Sequence, residues 1–170
     1  GVTELFVDYG EIGPSYIPGH AHSDTFNFVL NHEEKPLIVD PGISTYNTGY
    51  RRQRERSTSS HNTVRYGKVD QSEVWGGFRV GRRAKAIITD ENATSIKGYH
   101  DGYKRFGVYH QRVFNFNQKN IKIEDLMVAE NKLVGKSSAY FHFYPGIEVI
   151  LDGGKIILEG CYLEFSGALG

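Results

Sequence analysis

The sequence predicts an all-β fold, an antiparallel two-sheet sandwich of many short strands with little or no helix. The composition supports this, because 20 glycines, 11 tyrosines and 10 phenylalanines stand against one tryptophan and one methionine, and aromatic and turn-forming residues are typical of sheets joined by tight turns. Short apolar or alternating segments also recur at a spacing of about ten residues, which is typical of sandwiches and open barrels. No segment keeps a sustained helical period.

The predicted strands follow one another closely along the chain. Residues 25–30 and 35–40 flank a short turn at 31–34 and predict a β-hairpin. Short polar or glycine-bearing connections separate the further predicted strands, which are residues 84–89, 93–99, 108–116, 121–128, 138–143, 147–151 and 155–159. Residues 46–60 break this rhythm because they are polar and rich in arginine. A loop of that length in a compact domain tends to be functional or mobile.

Length and charge exclude several classes of protein. A chain of 170 residues can bury enough surface to fold as one domain without a disulfide or a metal. The 20 basic residues balance the 20 acidic ones, so no overall field would attract nucleic acid or an anionic membrane. No apolar run approaches the roughly 20 residues of a membrane span, and the single cysteine excludes an internal disulfide framework. The sequence does not predict an oligomeric state.

We expect residues 1–170 to form a single β-sandwich domain. The chain begins with a glycine and ends just after the strand-like residues 161–165, so we expect it to be a piece of a longer protein.

A group of histidines and an aspartate indicates a functional site. His22, Asp40 and His61 have the chemistry of a two-histidine, one-carboxylate metal site, which suits a borderline ion such as zinc. If the segment is a strand, His20 and His22 point the same way, and His20 is left free to face a substrate. The spacing is not a closed local motif like that of a zinc finger. Residue types alone therefore leave open that these histidines are ordinary hydrogen-bonded residues.

A set of short motifs follows in a fixed order along the chain, at residues 18–24, 40–42, 46–51, 56–64 and 70–73. Together these motifs resemble the C-terminal β-sandwich of the heparinase II/III-like family. Members of this family are polysaccharide lyases, or relatives of them, that act on uronic-acid-containing glycans such as heparan sulfate or alginate. The resemblance is strong over residues 10–85, and the remainder matches only in its strand-rich character.

The resemblance implies one structural zinc ion per chain, bound by His22, Asp40 and His61. It also implies that His20 is a catalytic or substrate-contacting residue. A tyrosine after the aspartate is implicated in some members, and the sequence does not decide between Tyr46 and Tyr50.

The β-elimination reaction of this family needs the same residue types. It removes the proton at C5 of a uronate, stabilises the charge that develops at the carboxyl group, and protonates the departing oxygen. Histidine and tyrosine can transfer these protons, and arginine can neutralise the carboxylate. Arg51, Arg52 and Arg56 are the candidate substrate contacts, although exposed arginines commonly form only surface ion pairs.

Family members carry an α-helical toroid before the β domain, and that toroid supplies part of the catalytic apparatus. It is absent from these residues, so we expect little or no lyase activity from this chain alone. The resemblance further implies an acidic polysaccharide substrate and export to the periplasm or outside the cell.

Two alternatives remain open from the sequence. A cupin-like metal enzyme also places an HxH motif on β structure, but its pattern needs a glutamate a few residues later and only Asp24 is present. A non-catalytic module that binds glycan is the other alternative. Its candidate sugar-stacking rings, which are more often core residues, are Trp75, Tyr99, Tyr103 and Tyr109.

Overall fold

The computed structural model describes residues 2–117, 120–131, 135–153, 155–158, 161–164 and 166. Over these residues the chain is mostly antiparallel sheet with little helix. The sheets are open, and among the described residues none closes into a barrel. The predicted all-β sandwich is therefore confirmed.

The first sheet contains three strands, β1 (Thr3–Val7), β2 (Phe28–His32) and β3 (Lys35–Ile38), in the order β1-β2-β3. The predicted hairpin is present, but its loop is only two residues long. Glu33 and Glu34 have positive φ values of 51° and 65°, and a two-residue turn of this kind matches the right-handed twist of the flanking strands. The sequence did not predict β1.

The second sheet contains four strands that were predicted to within a few residues at each end. They are β7 (Ala86–Asn92), β8 (Ser95–His100), β9 (Val108–Phe116) and β10 (Ile121–Ala129). These strands pair in the order β10-β9-β8-β7, each antiparallel to its neighbour. Burial alternates along β9, because successive side chains of a strand point to opposite faces.

The remaining strands are short. They are β4 (Val64–Tyr66), β5 (Val74–Trp75), β6 (Arg79–Val80), β11 (Ser137–Ala139), β12 (Ile150–Asp152), β13 (Lys155–Leu158) and β14 (Cys161–Glu164). Strand β4 pairs with β11, and β5 pairs with β6. Strands β12, β13 and β14 form a separate sheet in that order. The strands predicted near the end of the chain are shorter than expected, and positions 159 and 165 lie outside the described residues.

The arginine-rich segment contains a short helix where a loop was predicted. Helix α1 spans Tyr50–Glu55, and a 3₁₀ turn follows at Thr58–Ser60. Arginine, glutamine and glutamate favour helix, and an ion pair of 3.0 Å joins Arg51 to Glu55 one turn later. Six residues are too few to display a helical period. No helix among the described residues is long and apolar enough to cross a membrane.

The main core lies between the two larger sheets. Phe28 and Ile38 come from the first sheet and Phe114 comes from β9, and all three are almost completely buried. The rings of Phe28 and Phe114 meet edge to face with centroids 5.8 Å apart. This contact joins the two layers of the sandwich beneath the loops that carry the predicted site.

We predict that Phe114→Ala lowers the free energy of unfolding by about 3–5 kcal/mol, because it leaves a cavity between the two sheets. Urea unfolding followed by circular dichroism would measure the loss. Phe6→Ala is the matched control, since Phe6 is 56% exposed. An equal loss in both variants would contradict the placement of the core.

Candidate functional site

The two histidines of the HxH motif lie in an irregular segment, not in a strand. His20 is exposed and its ring meets the ring of Tyr46 edge-on, with centroids 5.5 Å apart. His22 is partly buried and its ring lies 5.1 Å from the ring of His61. The strand expected here is absent, so His20 and His22 do not share a strand face, and the irregular backbone gives their rings different surroundings.

His22, Asp24 and His61 form a cluster of potential metal ligands. One donor atom from each residue lies within 4.8 Å of the other two. His61 is fully buried, and its Nε2 has no hydrogen-bond partner among the described residues. Two imidazoles and a carboxylate suit a divalent cation of the zinc type. An unpartnered ring nitrogen beside two further donors thus fits a bound metal.

The protonation states of two of these residues also suit metal binding. Burial lowers the pKa of His22 to about 4, and the guanidinium charges of Arg56 and Arg52 act in the same direction. Burial raises the pKa of Asp24 to about 6, with smaller contributions from Asp8 and Asp40. At neutral pH His22 is a neutral imidazole, and Asp24 is a carboxylate held in a costly buried position. A cation would relieve that cost.

Asp40 contacts the other ring nitrogen of His61. Its Oδ2 lies 2.7 Å from Nδ1 of His61, and it also accepts a hydrogen bond of 2.5 Å from Asn27. Burial alone would raise the pKa of Asp40, but the hydrogen bond and charge of His61, together with the Gly42 N–H, lower it overall. A carboxylate in this position typically orients a ligating imidazole and makes it a better ligand.

The three donors in the cluster therefore include two of the three predicted ligands. The carboxylate in the cluster belongs to Asp24, where the sequence predicted Asp40. Asp40 instead contacts Nδ1 of His61, on the other side of the ring. The position of Asp24 two residues after His22 was the available signal, but the sequence prediction gave Asp24 no role as a ligand. Ligation by Asp40 remains a prediction.

The two candidate tyrosines lie in different places. Tyr46 is 59% exposed and contacts His20. Tyr50, at the start of α1, is 83% exposed. It lines a cleft of about 410 Å³ together with Arg51, Arg54 and His142. Only Tyr46 is beside the histidine that the sequence predicted to be catalytic.

The three candidate arginines also differ from one another. Arg51 exposes its side chain and pairs with Glu55. Arg52 is fully buried and donates to the backbone carbonyls of Gly77, Thr45 and Gly19. Its guanidinium also lies over the rings of Tyr46 and Phe78, at 5.1 and 4.2 Å from the ring centroids.

Arg56 is fully buried as well, and it donates to the carbonyls of Ala21 and Arg79. Arg52 and Arg56 thus bind carbonyl oxygens on either side of His20. In this conformation their N–H groups hold the HxH segment, and the expected contact with substrate is open only to Arg51.

Two asparagines connect the segments that carry the site. The backbone N–H of Asn62 donates to Oδ1 of Asn27 at 2.8 Å. The side-chain amide of Asn62 donates to the carbonyls of Phe28 and Val39. Because Asn27 also donates to Asp40, these amides tie the segments before β2, after β3 and after the 3₁₀ turn into one rigid unit.

Comparison with known proteins agrees with this architecture. The family model described as "Heparinase II/III-like, C-terminal" matches residues 1–164. A solved structure titled heparinase III, with methylated lysines, matches with a TM-score of 0.68 and 20% sequence identity. The match covers 91% of this chain and 23% of that one; at this identity the likeness shows the fold alone. No curated protein matches significantly.

We predict that Asp24→Asn stabilises the metal-free protein above about pH 6. Folding raises the pKa of Asp24 from 3.8 to about 6, so its contribution to stability is full below the unfolded pKa and is lost as the pH rises through the folded pKa. The variant should exceed the wild type by about 1–3 kcal/mol at neutral pH, and the two should converge below about pH 4.

Urea unfolding in the presence of a chelator, repeated across this pH range, would measure the difference. The opposite pH dependence of His22 is common to both proteins and cancels in the comparison. A variant less stable than the wild type at neutral pH would contradict the prediction.

Proposed function

Because the chain belongs to the heparinase II/III-like C-terminal domain family, we propose that it is the metal-binding β-sandwich of a polysaccharide lyase. The proposed reaction is β-elimination in a uronic-acid-containing glycan. Heparan sulfate and alginate are examples of that substrate class.

The observation that carries the metal-binding part is the unpartnered Nε2 of His61. A buried polar atom without a partner costs about 1–3 kcal/mol, and this one lies beside donors from His22 and Asp24. We infer one divalent cation per chain, with zinc as the ion that best suits imidazole and carboxylate ligands. Such an ion would tie the two ligand-bearing segments together.

His20 and Tyr46 are the proposed proton-transfer pair. Both are exposed, so a glycan could reach them, and their rings are in contact. A base removes the C5 proton of the uronate, and an acid protonates the oxygen of the leaving sugar. We assign the base to His20 and the acid to Tyr46. Tyr50 is the weaker candidate because the ring in contact with His20 is that of Tyr46.

Charge stabilisation at the uronate carboxylate is assigned to arginine. Arg51 is the accessible group, with a side chain that is 74% exposed. Arg52 and Arg56 would act differently, by holding the backbone around His20 and by adding fixed positive charge nearby.

The complete lyase would need more than this chain. We propose an N-terminal helical domain of the same protein as the partner that completes the cleft. Secretion or periplasmic location of that protein is part of the same proposal. The chain alone should therefore bind metal and glycan with little turnover.

A non-catalytic glycan-binding module is the second candidate. The cleft beside Tyr50 favours it, because an exposed ring next to Arg51 and Arg54 could hold an acidic sugar. Of the rings named from the sequence, Trp75 is 45% exposed and Tyr103 is fully buried. The cupin alternative is not supported, because no described sheet closes into a barrel.

We predict about one zinc ion per purified chain, lost in His22→Ala, His61→Ala and Asp24→Asn. Elemental analysis after gel filtration would measure it. Asp40→Asn is the informative comparison, since an orienting carboxylate should weaken affinity by about 10–100-fold without abolishing binding. Wild-type protein without metal, after reconstitution with zinc, would contradict the proposed centre.

We predict that His20→Ala in the full-length protein abolishes formation of the unsaturated uronate product while metal content stays at the wild-type value. Tyr46→Phe should have a similar effect and Tyr50→Phe a small one. Ultraviolet absorption of the unsaturated product would measure turnover. Binding of an acidic oligosaccharide with no turnover in the full-length wild type would favour the non-catalytic module.

A further inference from the structure

A third buried arginine lies below the ligand cluster, on the four-stranded sheet. Arg112, in the middle of β9, is fully buried. Its Nε and Nη2 donate to the two carboxylate oxygens of Asp125 on β10, at 2.6 and 2.9 Å. This bidentate ion pair fixes the plane of the guanidinium, and it therefore also fixes the direction in which Nη1 points.

That remaining nitrogen binds both ligand-bearing segments. Nη1 of Arg112 donates to the carbonyl of Phe26 at 2.8 Å and to the carbonyl of Asn62 at 2.7 Å. Phe26 lies two residues after Asp24, and Asn62 directly follows His61. One nitrogen atom therefore sets the distance between the segment that carries the carboxylate and the segment that carries the buried imidazole.

The turn containing Asp24 needs such a restraint. The N–H of Asn27 donates to the carbonyl of Asp24, which closes the turn, and Phe26 within it has a φ of 61°. Left-handed backbone is unfavourable for a bulky side chain and persists only when its surroundings hold it. Phe26 is held by its carbonyl, through Arg112, and by its fully buried ring.

Two buried histidines complete the support. The N–H of Gly102 donates to Nδ1 of His100, so the proton of His100 is on Nε2 and is donated to Nδ1 of His110 at 3.0 Å. The proton of His110 is then on Nε2 and is donated to Asp125 at 2.7 Å. In this series of hydrogen bonds each N–H group has one acceptor, so the direction of every hydrogen bond is fixed. The ring of Phe26 packs against both histidines.

Both histidines are neutral in this arrangement. Burial lowers the pKa of His100 and of His110. For Asp125, burial alone would raise the pKa, but the charge of Arg112 and the hydrogen bonds lower it overall. The carboxylate of Asp125 thus keeps its charge and stays paired with Arg112.

We propose that Arg112, fixed by Asp125 and the His110–His100 chain, is the positioning residue of the ligand cluster and sets its metal affinity without being a ligand. The proposal rests on the metal binding proposed above. It assigns a role to three buried polar side chains and to the partly exposed Asp125, all far from the HxH motif in sequence. None of the four is a proposed ligand or a member of the proposed proton-transfer pair.

The test compares Arg112→Lys and Asp125→Asn with the wild type. A lysine keeps the positive charge, but it cannot form a bidentate pair with Asp125 and also donate to the carbonyls of Phe26 and Asn62. Asp125→Asn leaves Arg112 in place and removes the charge that orients it. Competition with a chromophoric zinc chelator should show affinity weakened about tenfold or more in each variant. The absorption spectrum of the cobalt(II) form should report altered ligand geometry.

Val108→Ala is the matched control. Val108 is a buried residue of the same strand and the same face as Arg112, and its truncation costs stability through lost packing. It should unfold more easily in urea, yet bind zinc within about twofold of the wild type. Equal weakening in this control, or wild-type affinity in both test variants, would overturn the proposal.

The second variant and one further measurement keep the proposal testable if Arg112→Lys does not fold or the wild type binds no zinc. Should Arg112→Lys fail to fold, Asp125→Asn decides the outcome, because Asp125 is partly exposed on an edge strand. The ¹⁵N resonances of the His22 and His61 rings in metal-free protein should also shift in the test variants and not in the control. They report the geometry without metal, so a wild type that binds no zinc would disprove the proposed function and still leave the positioning role tested.

Discussion

Hydrogen bonds from buried arginines to backbone carbonyls hold the site together. The residues of the candidate site lie on irregular segments between strands, where no ladder partner is available for the backbone. Arg52 and Arg56 bind carbonyls in the HxH segment, and Arg112 binds carbonyls next to Asp24 and His61. A guanidinium has five donors in a rigid plane. It can therefore bind carbonyl oxygens from several segments at once, where a neighbouring strand would otherwise supply the hydrogen bonds.

The same arginines determine the electrostatics of the site. Arg112 is neutralised by Asp125, so its charge is paired below the cluster. Arg52 and Arg56 donate to carbonyls and have no carboxylate partner among the described residues, and their charges lower the pKa of His22. A positive field alone would also repel a cation. The negative charges of Asp24 and Asp40 oppose that field at the cluster itself. His22 therefore stays a neutral imidazole, while the two carboxylates attract a cation.

The sequence predicted what depends on periodicity and local chemistry. The alternation along residues 108–116 and the hairpin before Asp40 follow from side-chain patterns that operate within a few residues. His22 and His61 could be paired because the motif set is ordered along the chain. Helix α1 was missed because six residues cannot display a period. Strand β1 was missed because its five residues end in three consecutive apolar side chains and do not alternate. The choice between Asp24 and Asp40 depends on which ring nitrogen of His61 each one meets, and that is a property of the folded backbone.

The burial of the arginines could not be predicted, because an arginine is almost always assigned to the surface. Its acceptors here are carbonyl oxygens, which every residue possesses, so no sequence signal marks them. Arg52 binds the carbonyl of Gly19, lies against the ring of Tyr46 and adds positive charge near His22. A single buried side chain thus contacts the exposed His20–Tyr46 pair and acts on the buried ligand cluster. Because Arg52 and Arg56 bind the carbonyls on either side of His20, two histidines only one residue apart are held in different surroundings.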